Sequence, residues 1–261
     1  MTLTDNSSGG APATPASPSF APGPVLLLGA PGVGKGTQAQ ILMGRFGIPQ
    51  ISTGDLFRSN ISAGTPLGVT AKGYLDSGQL VPDDLVNQMV RDRLRAPDTR
   101  QGYVLDGFPR TLQQAEWLDR TLAASRQGSA EESAPVVALS LVVPFDDLLH
   151  RITGRYTCPK CKRIYNVYSN PPQVDRLCDL DGTPLEQRAD DTEAVFRDRM
   201  TTFAAQTAPV IDHYRQQSRF AEVDGNHPVE EVAASIASAL SRLRSPNSAT
   251  PAPPPASKPG S

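Results

Sequence analysis

The sequence predicts an α/β protein of three layers, a parallel sheet with helices on both faces. Three observations carry this. Short apolar runs without regular polar alternation recur as Val25-Leu26-Leu27-Leu28, Tyr103-Val104-Leu105, residues 136–143 and Phe220-Ala221-Glu222-Val223. Such strands are buried on both faces. Each run is followed by a helical pattern, the rhythm that builds a parallel sheet covered on both sides. The first run also ends in a glycine-rich loop, Gly29-Ala30-Pro31-Gly32-Val33-Gly34, that opens a helix.

Helices are expected over 35–46, 55–62, 67–77, 83–95, 113–124, 145–153, 193–216 and 229–243, with a weaker strand at Gln50-Ile51. Thr111, followed three residues later by Gln114, reads as a capping box at the start of one of them. Residues 156–187 break the rhythm. They are rich in Cys, Pro, Asp, Tyr and Arg and read as a small inserted subdomain. No internal repeat is visible.

Composition narrows the function. The 261-residue chain carries a net charge of −2, which leaves no electrostatic footprint for nucleic acid or an anionic membrane. No apolar run approaches the length of a bilayer span. Residues 1–24 and 245–261 hold eleven of the 25 prolines. Both segments read as disordered tails, because they cannot bury enough apolar surface to offset their ordering entropy. The folded unit is therefore expected over 25–244. The first 24 residues lack the basic and apolar regions of a secretory signal. The three cysteines lie between positions 158 and 178, which argues against a disulfide framework and for a cytoplasmic chain.

The loop from Gly29 to Thr37 has the chemistry of a phosphate cradle. Backbone N–H groups can converge on phosphate oxygens only where glycines admit positive φ and leave no side chain in the way. The helix that follows favours anions at its N-terminus, and Lys35 can reach the β- and γ-phosphates. The strict pattern places Ser or Thr directly after the lysine. Here Gly36 intervenes before Thr37.

Gly29-Ala30-Pro31-Gly32-Val33-Gly34-Lys35-Gly36-Thr37 resembles the phosphate loop of the adenylate kinase family. Three further segments are similar to that family's motifs: Ile51-Ser52-Thr53-Gly54-Asp55-Leu56-Phe57-Arg58, Asp106-Gly107-Phe108-Pro109-Arg110 and Arg188-Ala189-Asp190-Asp191. The motifs fall in family order and spacing across 25–243. The resemblance implies a P-loop kinase fold with a five-stranded parallel sheet of order 2-3-1-4-5, a monophosphate-binding segment at 52–81 and a lid at 154–190. It also implies a monomer that acts on ATP, AMP and ADP with Mg²⁺, without nucleic-acid or membrane partners.

By the same resemblance, ATP is held by Gly32, Val33, Gly34, Lys35, Gly36, Thr37, Arg151, Arg155, Ile164, Tyr165 and the loop at His227. AMP is held by Thr53, Arg58, Gln79, Leu80, Val81, Gly107, Phe108, Pro109, Arg110, Gln114, Arg188 and Arg199. Lys35, Arg110, Arg155, Arg188 and Arg199 would supply the catalysis. Physical chemistry agrees with these residue types. Phosphoryl transfer asks for several cations converging on one point and little covalent work, and the arginine fork suits phosphate oxygens. Arg197 competes with Arg199, but the two lie two residues apart, so one alone can face the site well. Asp106 ends a buried strand, where a carboxylate serves either the Mg²⁺ water shell or the cap of the next loop. His150, His213 and His227 have no metal or triad spacing.

Cys158-Pro159-Lys160-Cys161 is followed, sixteen residues on, by Cys178-Asp179-Leu180-Asp181. Two such knuckles form a four-ligand structural zinc site, and Zn²⁺ accepts carboxylate oxygen as the fourth donor. Free thiols, iron or a disulfide are the competing readings. Long-lid adenylate kinases are similar here, including Asn170-Pro171-Pro172. Two rival functions stand beside ATP:AMP transfer. One is the same chemistry with another nucleotide pair, such as GTP with AMP. The other is a zinc-ribbon interaction module switched by nucleotide.

Overall fold

The structure, a computed structural model, describes residues 22–126 and 135–245. The expected tails lie outside these residues, apart from Pro22, Gly23, Pro24 and Ser245. Five parallel strands form the central sheet: β1 (Gly23–Leu28), β2 (Gln50–Ser52), β3 (Gly102–Asp106), β4 (Val137–Val142) and β7 (Phe220–Asp224). Their order is β2-β3-β1-β4-β7, which is 2-3-1-4-5 when the two lid strands are left out of the count. The lid strands β5 (Arg155–Thr157) and β6 (Ile164–Asn166) pair antiparallel. Helices α1 (Lys35–Phe46), α2 (Thr53–Ser62), α3 (Pro66–Asp76), α4 (Asp83–Leu94), α5 (Leu112–Arg126), α6 (Phe145–Thr153), α7 (Glu193–Thr202), α8 (Ala208–Arg215) and α9 (Val229–Arg244) complete the described chain.

The side-chain alternation of β1 explains the layers. Val25 and Leu27 point into one apolar cluster with Val104, Leu139, Phe196 and Ile236. Leu26 and Leu28 point into the other, with Ile51, Phe57, Leu105, Leu118 and Tyr214. The four β1 side chains are all at most 2 % exposed. Each stabilises the fold by about 1.5–3 kcal/mol of apolar burial. Val25 aligns with Val104 on one side and Val137 on the other, which places the C-terminal ends of the strands on one edge.

Most boundaries shift by one or two residues, and two of the differences have a clear physical cause. Strand β1 starts at Gly23, because Gly23 and Pro24 align with Gly102 and Tyr103. The single helix expected over 193–216 is divided. A π-helical turn spans Phe203–Thr207 between α7 and α8, just before Pro209. Proline has no N–H to give the preceding turn and its ring crowds the carbonyl four residues back, so the regular ladder gives way there.

Helices α2 and α3 pack tightly at Gly68. A β-carbon there would press on the Asn60 carbonyl and sit 2.6 Å from the Ile61 nitrogen. Backbone cannot swing aside as a flexible side chain can. Gly68→Ala is expected to destabilise the protein by about 1–3 kcal/mol. Urea denaturation checks this, and an unchanged midpoint would contradict the packing argument.

Candidate active site

The loop between β1 and α1 takes the conformations its glycines were expected to permit. Gly29, Gly32 and Gly34 have φ of 131°, 83° and 101°. Gly32 also lies where a β-carbon would come within 2.9 Å of Ile152. Lys35 curls over the loop and donates from Nζ to the carbonyls of Gly29 at 2.8 Å and Ala30 at 2.9 Å. Burial, reinforced by Arg110, Arg155 and Arg199 and opposed by Asp106, brings its pKa down to about 8. At Gly36, which departs from the strict loop pattern, a β-carbon would sit 3.3 Å from Ile164 of the lid, a tight contact, and 3.5 Å from Asp106.

The lid lies over this loop, with Gln40 Nε2 donating to the Lys162 carbonyl at 2.8 Å. The large cleft beneath it is lined by every residue expected to hold ATP, from Gly32 through Thr37 to Arg151, Arg155, Ile164, Tyr165 and His227. The ring of Tyr165 itself is buried in the lid, where its hydroxyl donates to Cys178 Sγ at 3.5 Å and accepts from Asp179 N at 2.8 Å. Arg151 donates to Asn226 Oδ1 at 3.3 Å across the cleft mouth. His227 is half exposed and lies 3.3 Å from Asp224.

Besides Arg151, five arginines converge on the same cleft: Arg58, Arg110, Arg155, Arg188 and Arg199. Aspartates hold four of them. Asp191, whose side chain is fully buried, takes a fork from Arg155 and lies 3.9 Å from Arg199. Asp190 pairs with Arg199, and Asp55 with Arg58 at 2.5 Å and Arg188 at 3.8 Å. Arg110 Nε donates to the Gly107 carbonyl at 2.8 Å. Burial and the neighbouring like charges bring Arg188 and Arg199 down to about 9, and burial lowers Arg110 as well. These cations are crowded and desolvated, and an anionic ligand relieves both costs. Arg197 points outward and pairs with Glu193 at 2.7 Å, so the site-facing choice falls on Arg199. Asp106 accepts from Gln50 Nε2 at 3.0 Å and faces the cleft beside Gly36.

A smaller cavity adjoins the cleft, lined by Thr53, Phe57, Leu75, Gln79, Leu80, Val81, Gly107, Arg110 and Gln114 among others. Thr53 donates to the Gly107 carbonyl at 2.8 Å. Arg58, Phe108 and Pro109 lie on the large cleft next to it. Apolar Phe57, Leu75, Leu80 and Val81 line it together with Arg110, so it combines an apolar wall with one cation next to the arginines of the cleft. Thr111 caps α5 as expected, accepting from Gln114 N at 3.1 Å. The reciprocal bond of the box is displaced by one residue, because Gln114 Oε1 accepts from Arg110 N at 2.8 Å rather than from Thr111 N.

In the lid, one ligand atom each from Cys158, Cys161, Cys178 and Asp181 lies within 4.8 Å of the others. Cys161 and Cys178 Sγ are 3.5 Å apart, and Cys158 Sγ is 3.6 Å from Asp181 Oδ1. Sulfurs at about 2.3 Å from a tetrahedral centre lie near 3.8 Å from one another. The donor set is therefore compatible with a zinc-type ion, and the cysteines form no disulfide. Asp181 is brought down to about 2, chiefly by the Thr183 N–H and hydroxyl, and is a ready anionic donor. The other histidines serve elsewhere: His213 contacts Asp119 at 2.8 Å, and His150 stacks near Tyr168.

Sequence reasoning missed Gln50, which lines the cleft and donates to Asp106, and Asp83, which holds Gln114 from outside the small cavity. It also missed the partner roles of Asp55, Asp190 and Asp191. Asp190 and Asp191 stood in a quoted motif, but nothing along the chain says which arginine each meets.

A phosphate loop and a ring of arginines beneath one lid, with a small pocket adjoining them, fit a phosphotransferase acting between two nucleotides. The sequence comparisons agree. The family profile described as "Adenylate kinase" matches residues 27–219. An adenylate kinase of Thermodesulfovibrio yellowstonii is 48% identical over 219 residues, 84% of this chain and 99% of that protein. One from Clostridium perfringens strain 13 is 48% identical over 216 residues, covering 83% and 96%. One from Acidothermus cellulolyticus is 47% identical over 216 residues, covering 83% and 97%. The chain belongs to the adenylate kinase family and is a nucleoside monophosphate kinase. No helix of the described residues is long and apolar enough to cross a membrane.

Proposed function

We propose that the enzyme transfers the γ-phosphoryl group of MgATP to AMP, reversibly, giving two ADP. An oxygen of the AMP phosphate attacks the γ-phosphorus, and the bond to the β,γ-bridging oxygen breaks, leaving on ADP. The observation that supports this best is the position of Arg110, which borders both the large cleft and the small cavity. A group there can bridge the phosphates of two ligands at once.

The loop N–H groups and Lys35 hold the donor phosphates, while Arg58 and Arg188 take the acceptor phosphate. Arg110, Arg155 and Arg199 surround the moving group. None of these is asked to move a proton; they align the reactants and offset charge on the equatorial oxygens. Mg²⁺ arriving with ATP would neutralise phosphate charge, and Asp106, which lines the cleft beside Gly36, would hold waters of its shell. Closure of the lid excludes water, which limits loss of the phosphoryl group to hydrolysis. Cys158, Cys161, Cys178 and Asp181 are read as holding a structural Zn²⁺. A monomer in a reducing compartment fits three cysteines all committed to that cluster.

The test is direct. Purified protein is mixed with MgATP or MgGTP and each nucleoside monophosphate, and diphosphate production is followed. Rapid reversible ADP formation from ATP and AMP is expected. Preference for GTP, or for UMP or CMP as acceptor, would replace the nucleotide pair while keeping the reaction.

A further inference from the structure

Asp83 makes contacts that its place at the start of α4 does not require. Its Oδ1 accepts from Gln114 Nε2 at 2.6 Å, and its Oδ2 accepts from Thr111 Oγ1 at 2.7 Å. Gln114 is 2 % exposed and sits in the wall of the small cavity. Its other end accepts from Arg110 N at 2.8 Å. A backbone N–H can only donate and a carboxylate can only accept. The amide is therefore fixed in one of its two orientations. Turning it over would set NH₂ against N–H and oxygen against carboxylate, losing both bonds.

An amide has two acceptor positions and two donor hydrogens. Arg110 uses one acceptor and Asp83 one donor, so one of each is left, at ends of the amide whose order is fixed. Bases divide by the same order. Adenine and cytosine carry an exocyclic amino donor beside an unprotonated ring nitrogen. Hypoxanthine, guanine and uracil carry a carbonyl acceptor beside a ring N–H. A freely turning amide pairs with either class, whereas a fixed one pairs with one class and opposes the other.

We infer that Asp83 is a positioning residue for acceptor specificity: it locks the Gln114 amide so that the small cavity admits amino-type bases and rejects their oxo counterparts. The inference rests on the reading of that cavity as the monophosphate-base site. Asp83 itself does not border the cavity. It acts through Gln114, and the Thr111 hydroxyl steadies its second oxygen.

AMP and IMP differ at the edge concerned and are the probes, with MgATP as donor and the full chain as enzyme. In Asp83→Ala, kcat with AMP is expected to stay within about threefold while KM for AMP rises about tenfold, the scale of one hydrogen bond to a buried group. The ratio of kcat/KM for IMP over AMP should rise at least about tenfold. Asp83→Asn, which can offer either oxygen or NH₂, should raise the ratio by about threefold or more but less than the alanine. An unchanged ratio in Asp83→Ala, or equal losses for AMP and IMP, overturns the inference. If the alanine variant shows no cooperative melting, Asp83→Asn decides on its threefold criterion. A wild type that phosphorylates no monophosphate overturns the AMP reading, and this inference with it. An AMP-specific wild type with an unresponsive Asp83→Ala overturns the inference alone.

Discussion

Lys35→Ala is expected to lower kcat by about three orders of magnitude or more while leaving far-UV circular dichroism and the melting transition intact. The magnitude follows from what a preorganised cation contributes at a developing charge. The intact fold follows from the contacts. Among the described residues the ammonium bonds to the carbonyls of Gly29 and Ala30 within its own loop and to no distant element. A variant within tenfold of wild-type turnover would remove Lys35 from the chemistry. The depressed pKa of about 8 adds a pH signature. The free protein starts to lose this proton above about pH 8, whereas bound phosphates restore it. ATP affinity should then fall towards tenfold per pH unit above about 8, with up to one proton taken up on binding. Calorimetry in buffers of different ionisation enthalpy reads that uptake, which should vanish in Lys35→Ala. For folding the sign is the reverse of a stabilising lysine. Its folded pKa lies below the unfolded value of 10.5, so the unfolded chain binds more protons between these limits. The Lys35 contribution to stability therefore rises with pH across that window.

Removing the lid metal, by a chelator or by Cys178→Ser, should unfold the lid and lower kcat by about a hundredfold or more. The lid has almost no core of its own. Its apolar cluster is Cys158, Tyr165, Cys178 and Leu185, with Tyr156 alongside, and two of those five belong to the proposed metal cluster. Subdomains of that size fold on the strength of a metal or a disulfide, and structural zinc sites contribute about 10–16 kcal/mol. Once the lid opens, Arg155 leaves the cleft and Ile164 no longer covers Gly36. Limited proteolysis should cut between Cys158 and Cys178, while the sheet retains its own melting transition. Metal analysis should find one ion per chain. A demonstrably metal-free protein with full turnover and a protease-resistant lid would contradict this account.

Much of this was legible along the chain, for identifiable reasons. The sheet is readable because β1, β3 and β4 are buried on both faces and so carry unbroken apolar runs. The loop is readable because its conformations restrict it to glycine at fixed positions, and the grouping of Cys158, Cys161, Cys178 and Asp181 because their spacing is local. The start of β1 was hidden. Pro22-Gly23-Pro24 looks like tail until Arg244 arrives from the far end of the chain, donating to the Pro22 carbonyl at 2.7 Å and the Pro24 carbonyl at 2.8 Å. Asp83 was hidden likewise. In sequence it is one of two acidic residues opening α4, and only the fold brings it to Gln114, 31 positions on.

The π-helical turn at Phe203–Thr207 lets one rod work on three surfaces. Upstream, Phe196 closes the cluster on one side of the sheet; downstream, Val210 and Tyr214 close the cluster on the other. Between them Arg199 faces the cleft, and within the turn Thr207 donates to the Arg110 carbonyl at 2.9 Å. A straight helix offers a single apolar stripe. Closing each hydrogen-bonded ring one residue later rotates everything downstream relative to what precedes it. The segment acts as a phase shifter, and deleting one residue from 203–207 would misdirect either Arg199 or Tyr214 while leaving the sequence almost unchanged.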